Sequence, residues 1–555
     1  MNFFSKIGYS FRKYPFLRTI LILFLIVLSF LISVLSTNIE KKQPHIKILN
    51  PSTALPGDII TIHGENFGHD RGSSYVEFSG SRLTASSYIS WNDEVIKIQI
   101  PQNVEDGLVY VITKGGKSDA KIFANKIDIP VQVKHDSQTT TPVILSIKEL
   151  SAKVGQIITL NGKNFGLTRG SSQVIFPSPI QESDTDNYIS CNDANYDYDF
   201  WSDQEIRVRV PDGATSGKIY ILTEKGESNK QNFNIDISSG TKQFSDKRIY
   251  LLALQADISD IIAQSESSIS IRVPKPQITT TQRNVEVTLS VPEPVIPDYA
   301  GTIVHQFLVK KNMQKKISIA HNFVVQTCAV NTNIKPQKID QLSEKSKQIY
   351  ASYLVANQII PSNDEAIIKL AKQIIAKETN PYYIAQKLYN YMISEFTVLQ
   401  NTRKSEDISE LLEKKVGDAY DFTILFCAMA RSCGIPAIPL SGILIDAGLT
   451  NQNHWWLEIY LENFGWMPVD VALGAGKKHE AFRHITKNAD FYFGNLDSQH
   501  VIFSRGWNNI KPATSNSKTV YIPKTFAMQS IWEESSPEIQ KYSSFWSNIQ
   551  VLGIY

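Results

Sequence analysis

One run stands apart in the first forty residues. TILILFLIVLSFLISVLSTN, from Thr19, carries no charge and supplies about the 20 apolar residues that a bilayer-crossing helix needs. The pattern then changes to short runs of alternating apolar and polar residues, broken by Gly, Pro, Asn and Asp, which predict strands and turns. PGDIITIHGENFGHDRGSSYVEF (Pro56 to Phe78) returns as VGQIITLNGKNFGLTRGSSQVIF (Val154 to Phe176), and GLVYVITKGGKS from Gly107 returns as GKIYILTEKGES from Gly217. Two copies of one all-β module are therefore expected, at 45–126 and 143–237, joined by the polar linker DSQTTTPV.

A β-rich stretch at 247–335 includes the alternating RNVEVTLSV from Arg283. The period then becomes helical, and the region 336–513 reads as a separate α+β domain. NDEAIIKLAKQIIA puts Ile367, Leu370, Ala371, Ile374 and Ile375 on one face behind an Asn363 cap. NPYYIAQKLYNYMISEF follows, with Pro381 at a first helical position after Asn380. GDAYDFTILFCAMARSCGIP, Gly417 to Pro436, has Phe422, Leu425, Phe426 and Met429 at helical spacing and stops at Gly434.

NHWWLEIYLENFGWMPVDV then predicts a hairpin, Trp455 to Leu461 and Trp466 to Val471. If its loop runs from Glu462 to Gly465, Leu457 pairs with Asp470, and Asp470 shares a face with Trp455 rather than His454. An odd loop length or a bulge would be needed to bring His454 and Asp470 together. The tail, 514–555, has irregularly spaced aromatics (Phe526, Trp532, Phe545, Trp546) and is expected to pack on the domain before it.

Charge fixes the expected topology. Lys6, Arg12, Lys13 and Arg18 precede the apolar run and the first acidic residue is Glu40, so residues 1–18 should stay in the cytoplasm, 19–37 should anchor the chain in the lipid bilayer, and the bulk should be extracytoplasmic. A cleaved signal peptide, with Val34 and Ser36 at the small-residue positions, is the alternative and would make the protein secreted. The run is longer than the ~7–15 apolar residues usual in such peptides. At 42% hydrophobic and 20% charged, with a formal net charge of +2 over 555 residues, the chain gives no reason to expect a nucleic-acid partner. Its four cysteines are too few for a disulfide scaffold.

The repeated module resembles the IPT/TIG family of immunoglobulin-like domains. Its signature is matched by Gly57, Gly64, Asn66, Phe67 and Gly68, and again by Gly155, Gly162, Asn164, Phe165 and Gly166. The resemblance implies a stalk, an adhesive spacer or a ligand-binding module. The second copy carries extra residues before Trp201, and CNDANYDYDFWSD within them sets Asp193, Asn195, Asp197 and Asp199 at alternate positions, the oxygen spacing of calcium loops. The sixth position is Tyr198 rather than glycine and the twelfth is Gln204 rather than glutamate, so a solvated acidic hairpin is the competing expectation. No other cofactor is expected.

A helix delivering a group at its N-terminus, followed by strands delivering a histidine and an aspartate, is the arrangement of a thiol acyl-transfer site. The C-terminal half resembles the transglutaminase-like superfamily, papain-related in fold. It supplies Gly417, Asp421, Phe422 and Thr423 at the helix mouth, Arg431, Gly434, Ile435 and Pro436 at its end, then His454, Trp456, Glu458, Tyr460, Gly465, Trp466 and Asp470. DFYFGNLDSQHVIFSRG resembles the family's C-terminal strand region. By resemblance, His454 takes the place of the general base and Asp470 that of the group orienting it. The nucleophile position falls on Ala419, whose methyl group cannot attack an acyl carbon. Cys427 lies eight residues further along the helix, about 12 Å from the mouth, and Cys433 about 21 Å away, well beyond the roughly 3–3.5 Å needed for attack.

The expected protein is therefore a membrane-anchored chain with two immunoglobulin-like sandwiches and a transglutaminase-like domain that has lost its chemistry and binds a protein, peptide or cell-surface polymer. Two alternatives stay open: an acyl-transfer enzyme with an unrecognised nucleophile, and an adhesin acting through the IPT/TIG-like modules.

Overall fold

The computed structural model describes residues 42–51, 53–54, 56–78, 80–101, 107–125, 141–179, 188–311, 316–404, 407–482, 489–513 and 516–555, and position 16. The apolar span 19–37 lies outside the described residues. Among those described, no helix is long and apolar enough to cross a bilayer. The chain divides into two compact units, residues 1–83 with 87–131, and 84–86 with 132–555.

The first unit is a β-sandwich. One sheet runs in the order His45–Asn50, Ile59–Glu65, Val95–Gln99, Tyr88–Trp91; the other contains Thr53–Ala54, Lys121–Asn125, Gly107–Thr113, Tyr75–Phe78 and Ser81–Arg82. Alternation does what it predicts: Ile60, Ile62, Ile96, Ile98, Val76, Phe78, Val109 and Val111 are buried between the sheets. The repeated motif has a packing reason. A Cβ on Gly64 would fall 2.1 Å from the His45 carbonyl oxygen and 2.3 Å from the Phe67 ring, and Gly162 meets Val143 and Phe165 in the same way. The intervening Asn66 and Asn164 take left-handed φ of 63° and 62° to turn the ring inward.

The second module, in the other unit, repeats this strand order. Trp201 pairs with Ile206 as Trp91 does with Ile96, so the two tryptophans hold the same place in the strand order.

The module runs straight on into a second sandwich through β1 (Gly240–Ala263), which is followed by β2 (Ser267–Pro274), β3 (Gln282–Val291), β4 (Thr302–Val309) and β5 (Ile317–Ile334). β3, β5 and β1 are adjacent in one sheet, and β4 and β2 in the facing one. The C-terminal domain opens with helices α1 (Glu365–Ile375), α2 (Pro381–Glu395) and α3 (Ala419–Ser432). The α1 cap is Asp364, whose side chain accepts from the Ala366 and Ile367 amides, rather than the expected Asn363; Asn380 caps α2 as expected.

Against these helices lies a sheet of β6 (Ala437–Ile445), β7 (Asn451–Leu461), β8 (Gly465–Val469) and β9 (His500–Arg505), in the order β8-β7-β6-β9. Arg431 locks the turn from α3 into β6: its Nε and Nη2 donate to the Ala437 carbonyl at 3.0 and 2.7 Å, and Nη1 to that of Val355 at 2.7 Å. The R-x-x-G-I-P pattern is thus a helix-to-strand corner, with Gly434 supplying the positive φ of 80°.

The tail packs only in part on the domain before it, through Lys524 on Asp418 and Asp421 and the Ser441 hydroxyl on the Thr525 carbonyl. Its strands β10 (Glu533–Ser535), β11 (Ile539–Trp546) and β12 (Gln550–Ile554) join the central sandwich, β10 pairing with β2 and both β11 and β12 with β1. Trp532, fully buried there, packs edge-on against Phe526 and Trp546 at 5.6 and 5.2 Å. The 24-residue β1 is longer than any single neighbour and leaves backbone groups that strands distant in sequence must satisfy.

Candidate active site

The hairpin register decides whether the histidine and aspartate meet. Leu461 pairs with Gly465 and Leu457 with Val469, so the loop is the three residues Glu462, Asn463 and Phe464, and Asn463 takes a φ of 64° in it. An odd loop shifts the pairing by one residue relative to the four-residue case, which puts Asp470 opposite Trp456 and on the same face as His454. The His454 Nε2 to Asp470 Oδ2 distance is 2.6 Å, and neither side chain has any exposed surface.

Asp470 has a second duty. It caps the short helix α4 (Val471–Gly474), its Oδ1 accepting from the Leu473 amide at 2.8 Å. Burial opposes charge on Asp470, but the imidazoles of His454 and His500 hold its carboxyl well below the usual carboxylate range. Burial pushes His454 down, so it is a neutral ring donating Nε2–H to an anion. Its Nδ1 is buried and has no partner among the described residues. Nδ1 is therefore the nitrogen whose lone pair is spare, the one a general base would use.

Sequence reasoning missed the residues behind this pair. His500 on β9 places its Nε2 3.2 Å from Asp470 Oδ2 and its Nδ1 2.8 Å from Asp497 Oδ1. Asp497 Oδ2 lies 3.6 Å from His479 Nε2, and His479 Nδ1 lies 3.0 Å from Asp446. Three carboxylates and three imidazoles alternate from half-buried Asp446 to fully buried His454. Although burial opposes it, charge on His500 is favoured by Asp497 and Asp470, which raise the ring to about 9. Asp497 and His500 stand three apart in DSQH, and that short interval was the one available signal.

Ala419 is the first residue of α3 and is 1% exposed. Its neighbour Tyr420 packs edge-on against Trp455, the neighbour of His454, with ring centroids 5.8 Å apart. The helix mouth is closed by a capping box: Asp418 Oδ1 accepts from the Asp421 amide at 3.0 Å and Asp421 Oδ2 from the Asp418 amide at 2.9 Å. Both carboxylates are buried and share the Lys524 ammonium at 3.0 Å, while Arg403 Nε bonds Asp421. Burial and the adjacent Asp421 push the Asp418 carboxyl up.

The displaced cysteines are placed as expected. Cys427 is fully buried, and burial raises its thiol to about 12. Cys433 caps the far end of α3.

The alternate acidic residues of the second module do not converge on one point. Asp193 pairs with Arg169, Asn195 Oδ1 accepts from Arg505 at 3.0 Å, Asp197 Oδ2 accepts from the Asn192 amide at 2.8 Å, and Asp199 lies 3.7 Å from both Arg209 and Lys345. Nor is the segment a solvated hairpin: Asp197 is buried, and burial raises it to about 7. Among the described residues, the cluster able to offer three ligand atoms to one ion is His454, Asp470 and His500.

Comparison with known proteins agrees with the sequence. The transglutaminase-like superfamily matches residues 368–471, and the IPT/TIG domain matches 44–127 and 142–245. An uncharacterized protein of Haemophilus influenzae is 28% identical over 182 residues, which cover 27% of this chain and 49% of that one. A cyclomaltodextrin glucanotransferase of Bacillus licheniformis is 28% identical over 137 residues, 24% of this chain and 16% of the enzyme. The chain thus spans about half of the first relative and a small part of the second. A candidate cysteine protease of Cytophaga hutchinsonii, 13% identical, superposes with a TM-score of 0.33 over 57% of this chain and 91% of its own.

Proposed function

Starting from a chain that carries a transglutaminase-like core domain behind two IPT/TIG domains, we propose a membrane-anchored, extracytoplasmic binding protein that performs no acyl transfer. The core domain holds a peptide or cell-surface polymer, and the IPT/TIG domains carry it away from the bilayer. The observation that supports this reading is the methyl group of Ala419 at the start of α3, in a domain that keeps the His454–Asp470 pair and leaves its Nδ1 without a partner among the described residues. Cys427, buried and with its thiol raised, cannot take over, because the thiolate is the reactive form.

Incubating the full chain with glutamine-containing peptides and a primary amine should give no product above the buffer rate. Iodoacetamide should leave its retention of isolated cell-wall polymer and peptide unchanged. Thiol-dependent turnover would overturn the reading.

Topology follows from the basic residues before Thr19. Protease added to intact cells should degrade the chain beyond Asn38, with the bulk staying membrane-associated in high salt. A soluble full-length product beginning near Thr37 would contradict the anchor.

A further inference from the structure

We propose that His454, Asp470 and His500 form a binding site for one first-row transition-metal ion, zinc(II) in the first instance. The inference stands apart from the binding role proposed above. His454 Nε2, Asp470 Oδ2 and His500 Nε2 lie within 4.8 Å of one another, and all three residues are buried. They come from three rigid places: β7, the cap of α4, and the start of β9.

Zinc at about 2.0–2.2 Å from nitrogen and oxygen donors needs those donors about 3.3 Å apart in tetrahedral geometry. His500 Nε2 and Asp470 Oδ2 already stand 3.2 Å apart. His454 and Asp470, at 2.6 Å, must open by roughly 0.7 Å; the Nε2 proton of His454 moves to its Nδ1 and the Nε2 proton of His500 is released to solvent, so that both rings meet the ion as neutral imidazoles. Two imidazoles and one carboxylate favour zinc, cobalt or iron(II) over calcium or magnesium, which take oxygen donors.

Two of the three donors, His500 and Asp470, are backed in the way metal ligands usually are. Metal-ligating histidines usually give their other nitrogen to a carboxylate, which fixes the ring. His500 Nδ1 is 2.8 Å from Asp497, which is tied through His479 to Asp446. Asp470 Oδ1 is held by the Leu473 amide, which leaves Oδ2 for the ion.

The test uses the untagged full chain, stripped with EDTA and given zinc(II) both natively and during refolding, since the donors are buried. Emission spectrometry should find about one equivalent after gel filtration, and the melting temperature should rise. Cobalt(II) in place of zinc should give visible d–d bands of a low-symmetry, four-coordinate site. His500→Gln should abolish binding and bands together, while Asp193→Asn should change neither. Background metal with an unmoved melting temperature in both preparations would overturn the proposal. So would binding of several equivalents that His500→Gln leaves intact.

Discussion

Asp470→Ala should lower the unfolding free energy of the C-terminal domain by about 3–5 kcal/mol, the cost of breaking a buried ion pair from one side. The size follows from what the carboxylate holds. Oδ2 faces two buried imidazoles at 2.6 and 3.2 Å, and Oδ1 caps α4. Its removal takes from His500 one of the two carboxylates that favour its charge, in a site with no exposed surface, and leaves both ring nitrogens of His454 without a partner among the described residues. A lost cap alone costs about 1 kcal/mol. Urea unfolding followed by tryptophan fluorescence checks the sum, since Trp455 and Trp456 flank the site. A loss under about 1 kcal/mol would mean that the pair contributes little more than the cap.

The parts of this architecture that were legible in the sequence were those set by near neighbours. Two-residue alternation in IITIHGENF and IITLNGKNF fixed which residues point into each sandwich. The Gly64–Phe67 and Gly162–Phe165 contacts are local enough to repeat as a motif. The helix at Ala419 to Ser432 could be read from its periodicity and from Gly434. His454 and Asp470 were identified by resemblance, but their meeting depended on a loop of three residues rather than four, a difference that strand alternation alone does not determine.

What stayed hidden was long-range. His500 reaches Asp470 across 30 residues, and Lys524 reaches Asp418 across 106. Nothing in the local pattern around Lys524 marks it as the cation of a buried helix mouth. The place of the tail's strands is hidden for a similar reason: Ala256 and Trp546 pair across most of the C-terminal half, and the edge of β1 that receives them leaves no local trace. The acidic alternation at Asp193 to Asp199 misled because spacing cannot tell four ligands of one ion from four groups with separate partners, cations for Asp193, Asn195 and Asp199 and the Asn192 amide for Asp197.

We propose that the transglutaminase-like scaffold is preserved around a missing sulfur. Ala419→Cys would place a thiol at the first position of α3, where helix amides favour a thiolate. Tyr420 against Trp455 holds this end of the helix to the strand that carries His454. Burial works in the opposite direction, as it does for Cys427, whose thiol it raises to about 12. The two outcomes are therefore well separated. The most direct measurement is the ultraviolet thiolate absorbance of Ala419→Cys against the parent chain as a function of pH, with the iodoacetamide rate as a second readout. The account predicts a midpoint well below the unperturbed value of about 8.5 and an upward move of that midpoint when His454→Ala is added. A midpoint at or above the free-thiol value, unmoved by the loss of His454, would contradict it and leave His454 and Asp470 as structural residues of the fold.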